Sequence, residues 1–409
     1  MKEIMKKANS VLLTPVSLLA LTLTSLFLPA AYATNSAAAD ALKQSSVSAQ
    51  FRYRLENVDE DKALHNATAS TLRSRLTLNT GSWLNSKALL EIDNVSSIGG
   101  ERYNSTVNGH GHYSVVADPT GTDINQAAVI ISPNQDAQFT LGRQRINLAN
   151  QRFIGSVGWR QNEQTFDGVR YSQKVAGNWQ LELATLHNAN RVFGPKGSAA
   201  DLHGRFNLAT LNWQLLPTQQ LSAFVYDLDF DRLQARDSST QGLDYSGNLS
   251  AFPKFKWQLA LASQKDAHQA PVDLSHYYHR IDLSYNFGPF TGKVWQERLA
   301  GDGKTAFQTP FATLHAFDGF ADLFLTTPNQ GVRDNALEFS LPLNSTKLAV
   351  SYHQYDSDAG SQQLGSEVNA TLAWDPTPQL NLLVKLAQYN ADNHAVDTTK
   401  VWFMASFNL

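Results

Sequence analysis

The chain has 409 residues, of which 42% are apolar, 17% charged and 10% aromatic, and it has no cysteine. This excludes a disulfide-stapled miniprotein, a disordered chain and a thiolate metal site. Lys+Arg number 33 against 36 Asp+Glu, a formal charge of −3 that gives no general electrostatic footprint for nucleic acid.

The first element is a targeting signal over residues 1–33. Lys2, Lys6 and Lys7 make a basic start, Val11 to Leu28 is mostly apolar, and Ala31-Tyr32-Ala33 places small residues where a signal peptidase reads them. Pro15 and Pro29 interrupt the run and argue against a membrane anchor helix. Residues 34–46 read as a short periplasmic segment. No later run reaches the roughly 18 to 20 apolar residues that a membrane helix needs.

From residue 47 to 409 the sequence alternates. Leu72-Arg73-Ser74-Arg75-Leu76-Thr77-Leu78-Asn79 is one such run, and period two marks a strand with one apolar and one polar face. Eighteen segments follow this pattern, near 47–58, 70–80, 83–95, 124–133, 137–145, 164–175, 178–189, 203–216, 219–230, 242–252, 254–265, 275–287, 289–298, 333–343, 345–356, 363–374, 379–390 and 398–409. Tight turns follow every even-numbered segment, for example Gly81-Ser82, Ala176-Gly177, Pro253 and Asn344. Odd-numbered segments are followed by longer connections, above all 96–123, 146–163, 190–202 and 299–332.

A soluble sandwich has no reason to sort its connections by parity, whereas an outer-membrane barrel has short periplasmic turns and long extracellular loops. The expected fold is therefore all-β, a transmembrane antiparallel up-and-down β-barrel of 18 strands over 47–409, or of 16 if the weak segments 242–252 and 363–374 are misread. The last segment alternates Val401, Phe403, Ala405, Phe407 and Leu409 with Trp402, Met404, Ser406 and Asn408. It resembles the terminal strand through which outer-membrane proteins engage the barrel-assembly machinery. Trp83, Trp179, Trp213, Trp257, Tyr285, Phe287 and Trp374 near segment ends suit an interfacial girdle against outer-membrane lipids and lipopolysaccharide.

A barrel this wide is not filled by its strand side chains, so the polar phase of each strand faces a lumen. That phase carries Arg52, Arg54, Arg73, Arg75, Arg170, Lys174, Arg280, Lys293, Lys347 and Lys385, with Glu56, Glu91, Asp93, Glu182, Asp282, Glu297, Glu338 and Glu367. Arg52, Arg54, Arg73 and Arg75 on the first two strands read in two ways. They form a basic stripe whose planar forks hold a carboxylate or phosphate, or each is neutralised by a neighbouring carboxylate and stiffens the wall. Segments 146–163 and 299–332 carry too much apolar surface for solvated loops. Both are expected to fold into the barrel mouth, with Trp159, Phe311, His315, Phe317 and Asp318 at a constriction.

Catalytic chemistry is not marked. His110-Gly111-His112 lacks a third metal ligand at useful spacing, and no Gly-x-Ser-x-Gly motif points to a serine nucleophile. Asp227, Asp229 and Asp231 read as a solvated strand end more readily than as a calcium site. Neither a metal nor a cofactor is expected.

Two stretches go further. Leu141-Gly142-Arg143-Gln144-Arg145-Ile146, followed by Gln151-Arg152, Gly155, Trp159-Arg160-Gln161 and Thr165-Phe166-Asp167-Gly168-Val169-Arg170, resembles the signature of the alginate-export porin family. The run from Thr309 to Asp322, then Thr327-Pro328 and Gly331-Val332-Arg333-Asp334, is similar to the long loop of its uncharacterised bacterial members. The resemblance implies a monomeric outer-membrane barrel with an arginine-lined pore for an acidic polysaccharide. Arg143, Arg145, Arg152, Arg160, Asp167 and Arg170 stand at the matching positions. Arg143 and Arg145 share the phase of Phe139 and Leu141, so they need a bulge to turn inward. The short periplasmic turns leave no room for a periplasmic gating loop, so the sequence departs from an alginate exporter there. The expected function is an outer-membrane channel for diffusion or export of anionic solutes, from acidic saccharides to small organic anions. An unselective porin and a barrel enzyme are the alternatives.

Overall fold

The computed structural model describes residues 37–62, 64–175 and 177–409, so the expected targeting signal lies outside the described residues. A short helix, α1 (Ala37–Lys43), precedes 18 strands. These are β1 (Ser46–Glu60), β2 (Ala67–Asn79), β3 (Ser86–Ser97), β4 (Gly121–Ile131), β5 (Ala137–Gln144), β6 (Thr165–Val175), β7 (Trp179–Asn190), β8 (Asp201–Leu216) and β9 (Gln219–Phe230). They continue as β10 (Ser238–Leu249), β11 (Phe252–Asp266), β12 (Ser275–Asn286), β13 (Thr291–Leu299), β14 (Val332–Leu343), β15 (Thr346–Asp356), β16 (Gln363–Thr377), β17 (Leu380–Ala391) and β18 (Thr398–Asn408).

Each strand pairs antiparallel with its successor, and β1 pairs with both β2 and β18. The sheet is thus closed and has no edge, which is what lets strands cross a bilayer without unpaired backbone groups. The parity of the connections is as the sequence implies. The two weak segments are real strands with shifted ends. β10 runs Ser238–Leu249, so its turn is at 250–251, and Pro253 is the second residue of β11, where a missing N–H is tolerated. β16 continues to Thr377 through a register irregularity after Trp374.

The outer face is apolar, with Val225, Leu243, Leu261, Ile281, Val294 and Leu337 exposed. Near the short-turn end Trp179 and Trp213 stack at 4.7 Å and 7°, and Trp83, Tyr285, Phe287 and Trp374 are exposed. Helix α1 lies at the same end, where the Gly81 N–H donates to Ala41 O over 3.0 Å. A Cβ at Gly81 would come within 2.4 Å of that oxygen.

The main hydrophobic core is inside the barrel. The connections 145–164 and 300–331, called here the first and second inner loops, fold inward against an apolar patch on the wall. Phe311 of the second loop packs on Phe166, Phe206 and Phe230 at 5.5, 4.9 and 5.5 Å between ring centres. Phe153 of the first meets Phe224 and Tyr278 at 5.0 and 5.2 Å. Ile154 and Phe311 form a parallel bridge, and the Gly155 N–H donates to Phe311 O over 2.8 Å. A Cβ on Gly155 would sit 2.2 Å from Thr313 Oγ1, so only glycine allows the two loops this close.

Candidate functional site

The site begins with the arginines of β1 and β2, which pair so that Arg52 lies directly opposite Arg73. Two guanidiniums so placed repel, and the first inner loop supplies what offsets the repulsion. Arg52 donates to Gly158 O at 2.8 Å and to Gln161 Oε1 at 3.0 Å, and also reaches Arg160 O. Arg54 donates to Trp159 O at 2.6 Å, pairs with Glu56 at 2.7 Å and lies 4.2 Å over the Trp159 ring. Arg73 and Arg75 both meet Glu163, at 3.3 and 3.0 Å, and Arg75 also holds Asp93 at 2.6 Å. Arg52, Arg54 and Arg73 are buried. The basic stripe expected from the sequence is therefore on the inner wall but is covered, and it serves as a dock for the first inner loop. Its charge is met by carboxylates of the wall and, through Glu163, of the loop itself.

Arg143 and Arg145, which strand phase alone would turn to lipid, engage carboxylates. Arg143 pairs with Asp167 at 2.8 Å and approaches Asp123 at 3.7 Å, and Arg145 pairs with Glu91 and Glu163. Gly142 has φ +113°, and the register shifts between Asp167 and Gly168, an irregularity of the kind that re-aims side chains near a strand end. Arg170 pairs with Glu182 at 2.8 Å, and Lys293 with Asp282 at 2.9 Å. Arg280 is buried against Glu297 and Asp282, whereas Lys174 is exposed.

Two arginines of the first inner loop hold the second. Arg152 bridges Glu297 of β13 and Asp318, the latter at 2.7 Å. Arg160 bridges Glu56 of β1 at 3.2 Å and Asp322 at 3.0 Å. Each guanidinium thus ties one wall carboxylate to one carboxylate of the second loop. Between them His315 donates from Nδ1 to Asp322 over 2.7 Å and accepts at Nε2 from the Lys385 ammonium over 2.7 Å. Phe317 lies under Arg152 and Arg280, at 4.8 and 5.4 Å. The wall completes the clamp, because Glu367 of β16 accepts from the Phe320 and Ala321 N–H groups at 2.6 and 3.0 Å. The five constriction residues read from the sequence are therefore in the inner loops, with Phe311 in the apolar core and the others in the charged seam.

Above this seam a cleft of about 410 Å³ lies at the end of the barrel where the long connections emerge. Its walls are mostly apolar, including Val115, Val157, Phe193, Leu314, Leu323 and Leu325. Its cations are Lys62, Arg160, Arg191, Arg236 and Lys400. Burial, and then the charge of Arg236, lower Arg191 below the usual guanidinium range. Arg236 is likewise lowered by burial alone, and its one side-chain hydrogen bond is to Thr326 Oγ1 at 3.5 Å. Arg191 rests on the Phe193 ring at 4.6 Å. Strand phase does not reach Arg191 and Arg236, which lie in connections, so sequence reading missed them; Lys400 lies in β18 on the phase of Trp402, where phase could have found it. The adjacency of Arg191 and Phe193, just past a strand end, was the available signal.

Outside the lumen, His65 joins the His110 and His112 loop, its ring 5.8 Å from that of His112. Among the described residues no three groups converge to hold a metal ion.

Comparison with known proteins follows the same architecture. The family model described as Alginate export matches residues 43–308. No curated protein matches. Among solved structures, Pseudomonas aeruginosa OccK9 (OpdG) is similar with a TM-score of 0.68 at 15% identity, over 90% of this chain and 99% of that one. Acinetobacter baumannii OccAB4 gives 0.69 at 10% identity, over 89% and 98%. Pseudomonas aeruginosa OpdK with vanillate gives 0.67 at 13% identity, over 90% and 99%. At these identities the likeness is one of fold, an 18-stranded outer-membrane barrel.

Proposed function

Since the chain belongs to the alginate-export family of outer-membrane barrels, we propose that it is a passive channel for small anionic solutes, which it admits through the cationic cleft at its mouth. The observation that carries this reading is the pair Arg191 and Arg236, two guanidiniums facing one cleft whose carboxylates, Glu60 and Asp322, pair instead with Lys62 and with Arg160 and Lys400. A half-buried cation without a paired anion is poorly compensated, and an anion in the cleft supplies the missing partner. The planar forks favour a carboxylate.

The apolar walls of the cleft suit a monoanion with an apolar body better than a polyanionic chain, whose hydroxyls would face Val115, Leu323 and Leu325. Vanillate, the compound in the OpdK structure, has this character. The inner loops favour small solutes for a second reason, since Phe307 and Phe311, with Phe153 against them, occupy part of the barrel interior with packed side chains. The arginines of β1 and β2, committed to the first loop, add little to selectivity.

Liposome swelling tests the reading. Proteoliposomes should admit benzoate and acetate faster than neutral sugars of similar size, and should exclude oligouronates. Equal rates for neutral and anionic solutes, or ready passage of oligouronates, would refute it.

A further inference from the structure

At the floor of the cleft one carboxylate is surrounded by donors from three parts of the chain. Asp322, only 4% exposed in its side chain, receives Arg160 Nη2 at 3.0 Å from the first inner loop and His315 Nδ1 at 2.7 Å from its own loop. Lys400 Nζ of β18 approaches at 3.8 Å. One oxygen takes the imidazole and the other the guanidinium and ammonium, so both are provided for. The Lys385 ammonium stands behind His315, 2.7 Å from its other nitrogen. Arg160, His315, Asp322 and Lys400 all line the cleft.

The backbone that delivers Asp322 is unusual. Asp318, Gly319 and Asp322 have φ of +53°, +83° and +60°, a left-handed conformation free of cost for the glycine and only modestly unfavourable for the two aspartates.

We infer that this is a carboxylate-binding site of the channel, that Asp322 fills it as a tethered surrogate, and that an incoming carboxylate displaces Asp322 and frees this stretch of the second inner loop from Arg160 and Lys400, while the contacts of Phe311 and Asp318 keep the rest of the loop in place. The inference rests on the reading that the channel carries anions. The exchange keeps the charge of the site constant, because one carboxylate replaces another on Arg160, His315 and Lys400. The displaced Asp322 is hydrated at the mouth. A tethered group competes at an effective concentration on the order of millimolar, so free carboxylates take the site at about that level or above.

The test uses the full refolded chain and sodium acetate as the probe, against sodium chloride at equal ionic strength. In Asp322→Ala the tethered competitor is gone, and Arg160 and Lys400 lose it as a partner. Acetate should then raise the melting temperature in a saturable way, at concentrations roughly tenfold or more below those that affect the wild type. The near-isosteric Asp322→Asn should respond in the same direction. A variant that refolds only with acetate present supports the inference equally. It is overturned if acetate acts alike on wild type and variants, or if the variants fail to fold with and without it. A wild-type channel without anion preference, combined with acetate rescue of Asp322→Ala, would leave the site standing and remove only the reading of what the channel carries.

Discussion

The imidazole of His315 lies flat on the indole of Trp159, 4.2 Å away and 4° from parallel, so the two inner loops meet through a ring stack. The hydrogen bonds of His315 fix its charge. Lys385 has only donors to offer, so Nε2 must be an acceptor, and Nδ1 carries the proton given to Asp322. Burial, with the Lys385 and Arg160 charges beside it, lowers His315 to about 3 against the opposing pull of Asp322. A neutral imidazole is thus the stable joint over the ordinary pH range.

Replacing Trp159 by alanine should loosen this joint. The indole also lies under Arg54 at 4.2 Å and Lys385 at 4.3 Å, so the change removes a stack and two cation–π contacts. A loss of about 3–5 kcal/mol is expected, with a higher single-channel conductance as the first loop gives way. Planar-bilayer recordings and detergent melts measure the two effects, and an unchanged conductance would count against a constricting role for the loop.

Arg152→Met should be among the most damaging single changes. It leaves Asp318 buried without its ion-pair partner and Glu297 with Arg280 alone, at a cost of about 3–5 kcal/mol. Adding Glu297→Gln should restore part of the loss, because the carboxylate that lost one of its two cations is then neutral. Urea midpoints for the single and double variants give the coupling. Simple additivity would mean that the pair does not act as a unit.

Asp318 makes stability depend on pH in a direction opposite to most carboxylates. Burial pushes it up to about 7, outweighing Arg152, so the folded protein keeps a proton that the unfolded chain releases near pH ~4. Its contribution is complete below that value and declines as pH rises from about 4 to about 7. Asp318→Asn stays neutral and should flatten this part of the stability profile, as urea midpoints across the window would reveal.

Glu163 behaves in the opposite sense. Burial pushes its carboxyl up, but Arg75, Arg145 and Arg73 outweigh that and hold it well below the usual range. Its stabilisation is present at neutral pH and is lost as pH falls from the ordinary carboxyl value through the lowered one. Glu163→Gln leaves three arginines facing only Glu91 and Asp93. The variant should be less stable by about 3–5 kcal/mol and more anion-selective at low salt, the one change that would turn the dock into an open basic patch. A reversal potential equal to that of the wild type would show that the dock stays closed to ions.

Strand number and closure were readable because each strand is an independent period-two signal, repeated 18 times with the same parity of connections. The inward folding of the two loops was readable too, since Phe153, Phe307 and Phe311 need cover. What escaped was pairing across distance. Nothing local to Arg52 says that its partners are the carbonyls of Gly158 and Arg160, so a phase argument placed it in open lumen. For Arg143 strand phase alone was not enough, and the bulge it required has a local cause, because alternation holds only until Gly142 breaks it. Arg191 and Arg236 lie in connections that have no phase at all, and their meeting in one cleft follows from closure of the barrel.

The most direct test of the account is the zero-current potential across a planar bilayer under a KCl gradient, at the low ionic strength where charge is least screened. The wild type should prefer anions, and Arg191→Gln with Arg236→Gln should shift the potential toward cation preference while leaving the melting temperature nearly unchanged. A wild type without anion preference, or a double variant with the wild-type potential, would contradict it.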